Sequence, residues 1–207
     1  MEEEIIRIFE ETRAILKGHF IYTSGKHGEV YVNKDSLYMF PLKVKLLCER
    51  IAEHFKDKNI EIVAGPAIGG VVLTQWTAFT LTQFSGKDIL AIYSEDGPNN
   101  TKIFKRGYDK CVKGKRILVV EDITTTGGSV QKTVDAVKAL DGIVVGVGFL
   151  WNRGAITSQD LGVPEVFSLV NITFEAFDEE ECPLCAQKVQ INTDVGKGRQ
   201  YLAQKAQ

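Results

Sequence analysis

Apolar residues follow two rhythms along this chain. Near its start Ile5, Ile6, Ile8, Phe9, Thr12, Ile15 and Leu16 recur at helical spacing, which predicts an amphipathic helix over residues 2–17 closed by Gly18. Residues 19–40 read as short extended pieces around the turn Ser24-Gly25-Lys26-His27-Gly28. A second helical face, Leu42, Leu46, Leu47, Ile51, Ala52 and Phe55, starts at Pro41, a residue suited to a helix's first turn. Short apolar, β-branched runs then follow at 60–64, 88–93, 116–120, 143–151 and 166–170, with helical patterns at 69–83 and 127–140 and a polar, mixed stretch at 94–109. Ile117, Leu118, Val119 and Val120 are apolar without alternation, as expected of a strand covered on both faces. Such alternation predicts an α/β fold, a mostly parallel sheet flanked by helices, with ligands bound beyond the carboxyl ends of the strands. From about Phe174 the chain reads as a separate small tail.

Composition narrows the field. The 207 residues suit one α/β domain with a small appendage. The 25 Lys+Arg against 27 Asp+Glu leave a formal charge of −2, which argues against a general nucleic-acid binder and makes any anion site local. The 4 cysteines are too few for a disulfide-stapled secreted fold, and Met1-Glu2-Glu3-Glu4 lacks the basic start of a signal peptide, so a cytoplasmic setting is expected. Residues 62–86 carry no charge and are long enough to suggest a membrane span. Gly65-Pro66, Gly69-Gly70, Gln75 and Gln83 within them favour a buried strand, a glycine loop and a half-buried helix, so no membrane partner is expected.

The sharpest chemical signal runs from Glu121 to Ser129. An apolar strand ends in two carboxylates, Glu121 and Asp122; Thr124, Thr125, Thr126, Gly127, Gly128 and Ser129 follow as a helix begins. A helix N-terminus offers unpaired N–H groups and a favourable dipole to an anion, and the glycines let backbone close around a phosphate. The carboxylates would repel that phosphate, so they must face hydroxyl groups or a hard cation such as Mg²⁺. A ligand with a phosphate at one end and a diol nearby satisfies both halves. The plainer alternative is a helix cap with a polar turn. The loop at 65–70, with Ala67, Ile68 and Gly69 at its centre, also joins a strand end to a helix start; it reads as a second anion site or as a tight turn. No G-x-x-x-x-G-K-[ST] occurs, and Gly146-Val147-Gly148 lies inside a strand and lacks a third glycine, so nucleotide motifs of those kinds are absent.

Residues 119–129 resemble the diphosphate-sugar signature of type I phosphoribosyltransferases. The chain as a whole resembles one branch, the bacterial and archaeal orotate phosphoribosyltransferases. The likeness is carried further by Gly18-His19-Phe20 with Ser24-Gly25-Lys26-His27 and Tyr31, by 65–70, by Phe104-Lys105-Arg106-Gly107-Tyr108, by Trp151-Asn152-Arg153-Gly154 and by Cys182-Pro183-Leu184-Cys185. It implies one domain over 1–207, with a core at about 42–170 and a hood over the base made from about 18–40 and the tail. It implies that Glu121 and Asp122 hold the ribose hydroxyls, that Thr124 to Ser129 grip the 5-phosphate, and that Ala67, Ile68 and Gly69 take the diphosphate. Lys102, Lys105 and Arg106 would serve catalysis with Asp122, and Thr125, Arg153 and Lys26 would contact the base. Mg²⁺ would be carried mainly by phosphoribosyl diphosphate, with Asp122 a candidate ligand. A homodimer is implied, with the cationic loop reaching into the neighbour's site. The chain departs from the branch at Asn152, where Asp is usual, at Gly28, where Ser is usual, and in the acidic Ser94-Glu95-Asp96-Gly97-Pro98.

Bland readings stand beside these. Arg153 suits a surface ion pair, Lys102, Lys105 and Arg106 a solvated basic loop, and Lys26 and His27 a turn. Cys182-x-x-Cys185 reads as half of a zinc site whose other half is missing: Cys48 and Cys111 stand alone, and His19, His27 and His54 show no ligand spacing, which leaves a site shared across a dimer. Two rival functions remain open, a phosphoribosyltransferase for a purine and a non-catalytic regulator that senses phosphoribosyl diphosphate.

Overall fold

The computed structural model describes residues 2–205, and its contacts fall into two compact units, one of Pro41–Ile172 and one of Glu3–Phe40 with the chain from Thr173 onward. In the second unit, helix α1 (Glu2–Glu11) buries Ile5, Ile8 and Phe9. It is shorter than its sequence pattern predicts. Thr12 turns its hydroxyl back onto the carbonyl of Ile8 at 2.8 Å, Arg13 takes a positive φ of 54°, and the chain leaves the helix. Ile15 and Leu16 keep helical spacing with α1 yet belong to strand β1 (Ile15–Ile21), and Gly18 lies inside that strand. Strand β2 (His27–Val32) pairs antiparallel with β1, and a short helix α2 (Lys34–Tyr38), which the sequence pattern did not signal, follows.

The larger unit opens with α3 (Pro41–Phe55), then β3 (Ile62–Pro66), α4 (Gly69–Ser85), β4 (Leu90–Asp96), β5 (Lys102–Ile103), α5 (Asp109–Val112), β6 (Arg116–Thr124), α6 (Gly128–Ala139), β7 (Ile143–Asn152), α7 (Ser158–Leu161) and β8 (Val166–Val170). Its sheet has the order β5-β4-β3-β6-β7-β8, with β3, β4, β6, β7 and β8 parallel and β5 antiparallel at one edge. Side chains alternate between the two faces. On one, Ile117, Val119, Val147 and Phe149 pack with Val130, Val134 and Val137 of α6 in a buried cluster. On the other, α3 lies so close to β7 that a Cβ at Gly148 would come within 2.7 Å of Ile51 and one at Gly146 within 2.5 Å of Phe55. Those two glycines serve helix-on-sheet packing. The tail carries α8 (Pro183–Ala186) and α9 (Gly198–Lys205).

The chain winds outward from β3 to β4 in one direction and from β6 through β7 to β8 in the other. The carboxyl ends of β3 and β6 therefore adjoin where the winding reverses, the place at which such sheets bind ligands.

Candidate active site

The loop after β6 is built by its own hydroxyls. The N–H of Gly127 donates to Thr124 Oγ1 at 3.0 Å and that of Gly128 to Thr126 Oγ1 at 3.4 Å. Gly127 has φ +73°, a left-handed turn that glycine adopts without cost. The turn delivers the chain into α6, whose first N–H groups lack helical partners. Thr125, Thr126, Gly128 and Ser129 are exposed, while Thr124 and Gly127 are buried beneath them. Glu121 and Asp122 sit at the end of β6 with 8% and 2% exposure. Asp122 Oδ1 accepts the N–H of Ile123 at 2.6 Å, which fixes the carboxylate's orientation.

The 65–70 loop stands beside it. A Cβ at Gly65 would meet the carbonyl oxygen of Val120 at 2.6 Å, and one at Gly70 would meet the backbone of Gly65 at 2.6 Å, so both glycines answer to close backbone approach. The Ala67 N–H donates to the carbonyl of Ser94 at 2.8 Å. The Ala67–Ile68 peptide is cis, and Ile68 is 85% exposed at the tip.

The end of β7 joins the same edge. The backbone N–H of Arg153 donates to the carbonyl of Thr124 at 2.8 Å. Asn152 closes its own turn, donating from Nδ2 to Ile156 O at 2.8 Å and accepting from Ile156 N–H at 2.9 Å. An amide can do both where a carboxylate could only accept, which gives the departure from Asp a physical reason. A Cβ at Gly154 would lie 1.7 Å from the carbonyl oxygen of Thr125. Thr124, Thr125 and residues 152–154 thus form one packed corner.

The cations are already paired. On the β4–β5 hairpin, Lys102 meets Asp96 at 2.7 Å, while Arg106 and Lys105 meet Glu95 at 2.9 and 3.4 Å. Hydrogen bonding to Arg106 and to Lys102 holds the Glu95 and Asp96 carboxyls below their usual range, and Glu95 in turn raises the Arg106 guanidinium. The hairpin tip is tied to α6, since Lys132 Nζ donates to Asn100 Oδ1 at 2.6 Å. Nothing in the sequence marks Lys132 for that role. Lys26, in the smaller unit, pairs with Asp178 at 3.0 Å.

The sequence profile of the phosphoribosyl transferase domain matches residues 35–182. The chain belongs to the orotate branch of the phosphoribosyl transferase family. The orotate phosphoribosyltransferase of Caldanaerobacter subterraneus subsp. tengcongensis is 38% identical over 192 residues, 92% of this chain and 95% of that protein. The one from Caldicellulosiruptor bescii is 36% identical over 190 residues, again 92% of this chain and 95% of that protein. Among solved structures, the Mycobacterium tuberculosis H37Rv orotate phosphoribosyltransferase in complex with inorganic phosphate superposes with a TM-score of 0.66 at 22% identity, covering 82% of this chain and 94% of that one. The adenine phosphoribosyltransferase of Thermoanaerobacter pseudethanolicus superposes with a TM-score of 0.60 at 17% identity, covering 82% of this chain and 99% of that one. The phosphoribosyltransferase fold is thus common to enzymes named for different bases, and the long alignments to orotate enzymes distinguish the branch. No helix among the described residues is long and apolar enough to cross a membrane.

Proposed function

We propose that this phosphoribosyltransferase transfers the 5-phosphoribosyl group from phosphoribosyl diphosphate to orotate, giving orotidine 5′-phosphate and diphosphate. The observation that carries the reading is the corner at the strand ends, where the Arg153 N–H bonded to Thr124 ties a guanidinium-bearing turn to the anion loop at 2.8 Å. The relatives that align along most of the chain bear the same activity in their names.

A bond forms between a base nitrogen and the sugar's anomeric carbon as the bond to diphosphate oxygen breaks, through an oxocarbenium-like transition state. No protein nucleophile is required. Thr124, Thr125, Thr126, Gly127, Gly128 and Ser129 hold the 5-phosphate at the α6 N-terminus, and Glu121 and Asp122 take the ribose hydroxyls. Ala67, Ile68 and Gly69 cradle the diphosphate with their backbone. The Arg153 fork matches the orotate carboxylate, with Thr125 beside it. Lys102, Lys105 and Arg106 neutralise the departing diphosphate after exchanging Glu95 and Asp96 for it. Lys26 reaches the base once its pair with Asp178 opens. Mg²⁺ suits the oxygen-only donors here: Asp122 would hold it together with the substrate's own oxygens, and when bound it would supply positive charge to offset that of the leaving diphosphate. In this reading the enzyme is a cytoplasmic homodimer.

The test is orotate consumption followed by ultraviolet absorbance with phosphoribosyl diphosphate and Mg²⁺, beside hypoxanthine, adenine and uracil. Orotate alone should turn over, and Arg153→Ala should lower kcat/KM for it by about 10–100-fold, the range for a lost charged hydrogen bond. Turnover of a purine instead would remove the role given to Arg153. Tight binding of phosphoribosyl diphosphate without turnover of any base would mark a regulator.

A further inference from the structure

Four side chains converge in the smaller unit. His19 on β1, His27 on β2, and Cys182 and Cys185 on the tail place their ligand atoms within 4.8 Å of one another, with all but Cys185 buried. The histidine half that the sequence lacked is therefore present in this same chain, hidden because His19 and Cys182 are 163 positions apart and His27 and Cys185 158 apart.

The backbone explains the convergence. The tail passes beside His27, whose N–H donates to the Phe177 carbonyl at 2.8 Å and whose carbonyl accepts from the Phe177 N–H at 2.9 Å. It returns beside His19, whose carbonyl accepts from the Asn192 N–H at 2.8 Å. Between these two anchors, Cys182 caps α8 and Cys185 lies within it, so both sulfurs share one side of a helical turn.

The distances match a tetrahedral ion. A zinc site with bonds of about 2.0–2.1 Å to nitrogen and about 2.3 Å to sulfur has edges near ~3.3 Å between nitrogens and ~3.6 Å between nitrogen and sulfur. Here His19 Nε2 and His27 Nδ1 are 2.9 Å apart, Cys185 Sγ lies 3.3 Å from His27 Nδ1, and both sulfurs lie 3.7 Å from His19 Nε2. Hydrogen bonding among the four groups accounts for this less well. The carbonyl of Val189 can only accept, so the His19 Nδ1 at 2.8 Å from it carries the proton. That leaves one lone pair on His19 Nε2 facing three polar neighbours, where a cation would serve all four ligands. The Val189 contact is also the outer-shell bond that orients a metal-bound imidazole.

The tail needs such a fastening. Among its described residues only Cys182 and Gly198 are buried, so it has almost no apolar core of its own.

We propose that His19, His27, Cys182 and Cys185 bind one zinc ion in a closed, structural site that fastens the C-terminal tail to the β1–β2 hairpin. Two thiolates and two imidazoles favour zinc over magnesium, and four protein ligands leave no open position for chemistry.

The test takes the full-length reduced protein, purified without chelators. Metal analysis should find about one zinc per chain, and cobalt added to metal-free protein should give the thiolate charge-transfer band of a tetrahedral site. Cys182→Ser and Cys185→Ser should lose the tight metal and the band, while Cys111→Ser keeps both. Trypsin should cut the tail of metal-free protein, at Lys188, Lys197 or Arg199, and zinc should suppress the cuts. Wild-type protein that holds no zinc and gives no cobalt band would overturn the proposal, as would a Cys182–Cys185 disulfide found by mass spectrometry in the cytosolic protein.

Discussion

At Gly154 two backbones pass so closely that a single methyl group has nowhere to go. The obstacle 1.7 Å from its missing Cβ is the Thr125 carbonyl, which no rotamer change can move. Gly154→Ala should displace the loop around Thr125 that is proposed to hold the phosphate, and because misplacing a binding group by about 1 Å can cost ~10²-fold, kcat/KM should fall by that order in the absorbance assay. Gly127→Ala is a gentler test. Its Cβ would meet only Ile156 and Leu161 at 3.4 Å, so the strain is that of φ +73°, about 1 kcal/mol, read as a lower Tm. Residues of this kind were partly legible. Gly127 stood out because it adjoined hydroxyls and carboxylates, whereas Gly154 is explained only by a neighbour 29 positions earlier, counting from Thr125 to Gly154.

Elements were legible in proportion to how completely they are covered. The apolar runs of β3, β6, β7 and β8 announced strands, that of β6 as one covered on both faces, and α3 and α4 were announced by their helical patterns. The boundary of α1 was not, because Ile15 and Leu16 continue its periodicity across a turn made by Thr12 and Arg13. The contact of α3 with β7 can be probed directly: Gly148→Ala pushes a Cβ against Ile51 and should destabilise by about 1–3 kcal/mol in chemical denaturation, without altering substrate affinity. The β4–β5 hairpin offers the reverse experiment. Lys102 is 9% exposed while its partner Asp96 is 91% exposed, so the acid can be changed with little effect on packing. If these cations serve diphosphate, Asp96→Asn with Glu95→Gln should lower KM for phosphoribosyl diphosphate, by no more than about fivefold because each pair has one solvent-exposed member, and the gain should shrink in high salt. An unchanged KM would assign the cations to the hairpin alone.

Across the whole molecule, the fold class and the strand–turn–helix geometry of residues 121–129 were legible because they depend on residues near one another in sequence. The histidine–cysteine cluster was not, because its halves lie at opposite ends of the chain. The two units also differ in what holds them. The sheet of the larger unit buries a continuous apolar cluster, whereas the tail contributes almost none. Hydrogen exchange followed by mass spectrometry on the metal-free protein should show tail amides, Phe177 and Asn192 included, exchanging well before those of β6 and β7. Equal protection in both would mean that the tail is more firmly anchored than its burial implies.

The pairing of His19 with Ile191 and of His27 with Phe177 also sets an order of events on the ribosome. The β1–β2 hairpin is among the first segments to emerge, and every strand of the large sheet follows before the residues that complete the hairpin's neighbourhood have been translated. Its two histidines must wait through the making of Pro41–Ile172, so a hairpin synthesised before the whole large sheet is among the last parts to reach its final surroundings.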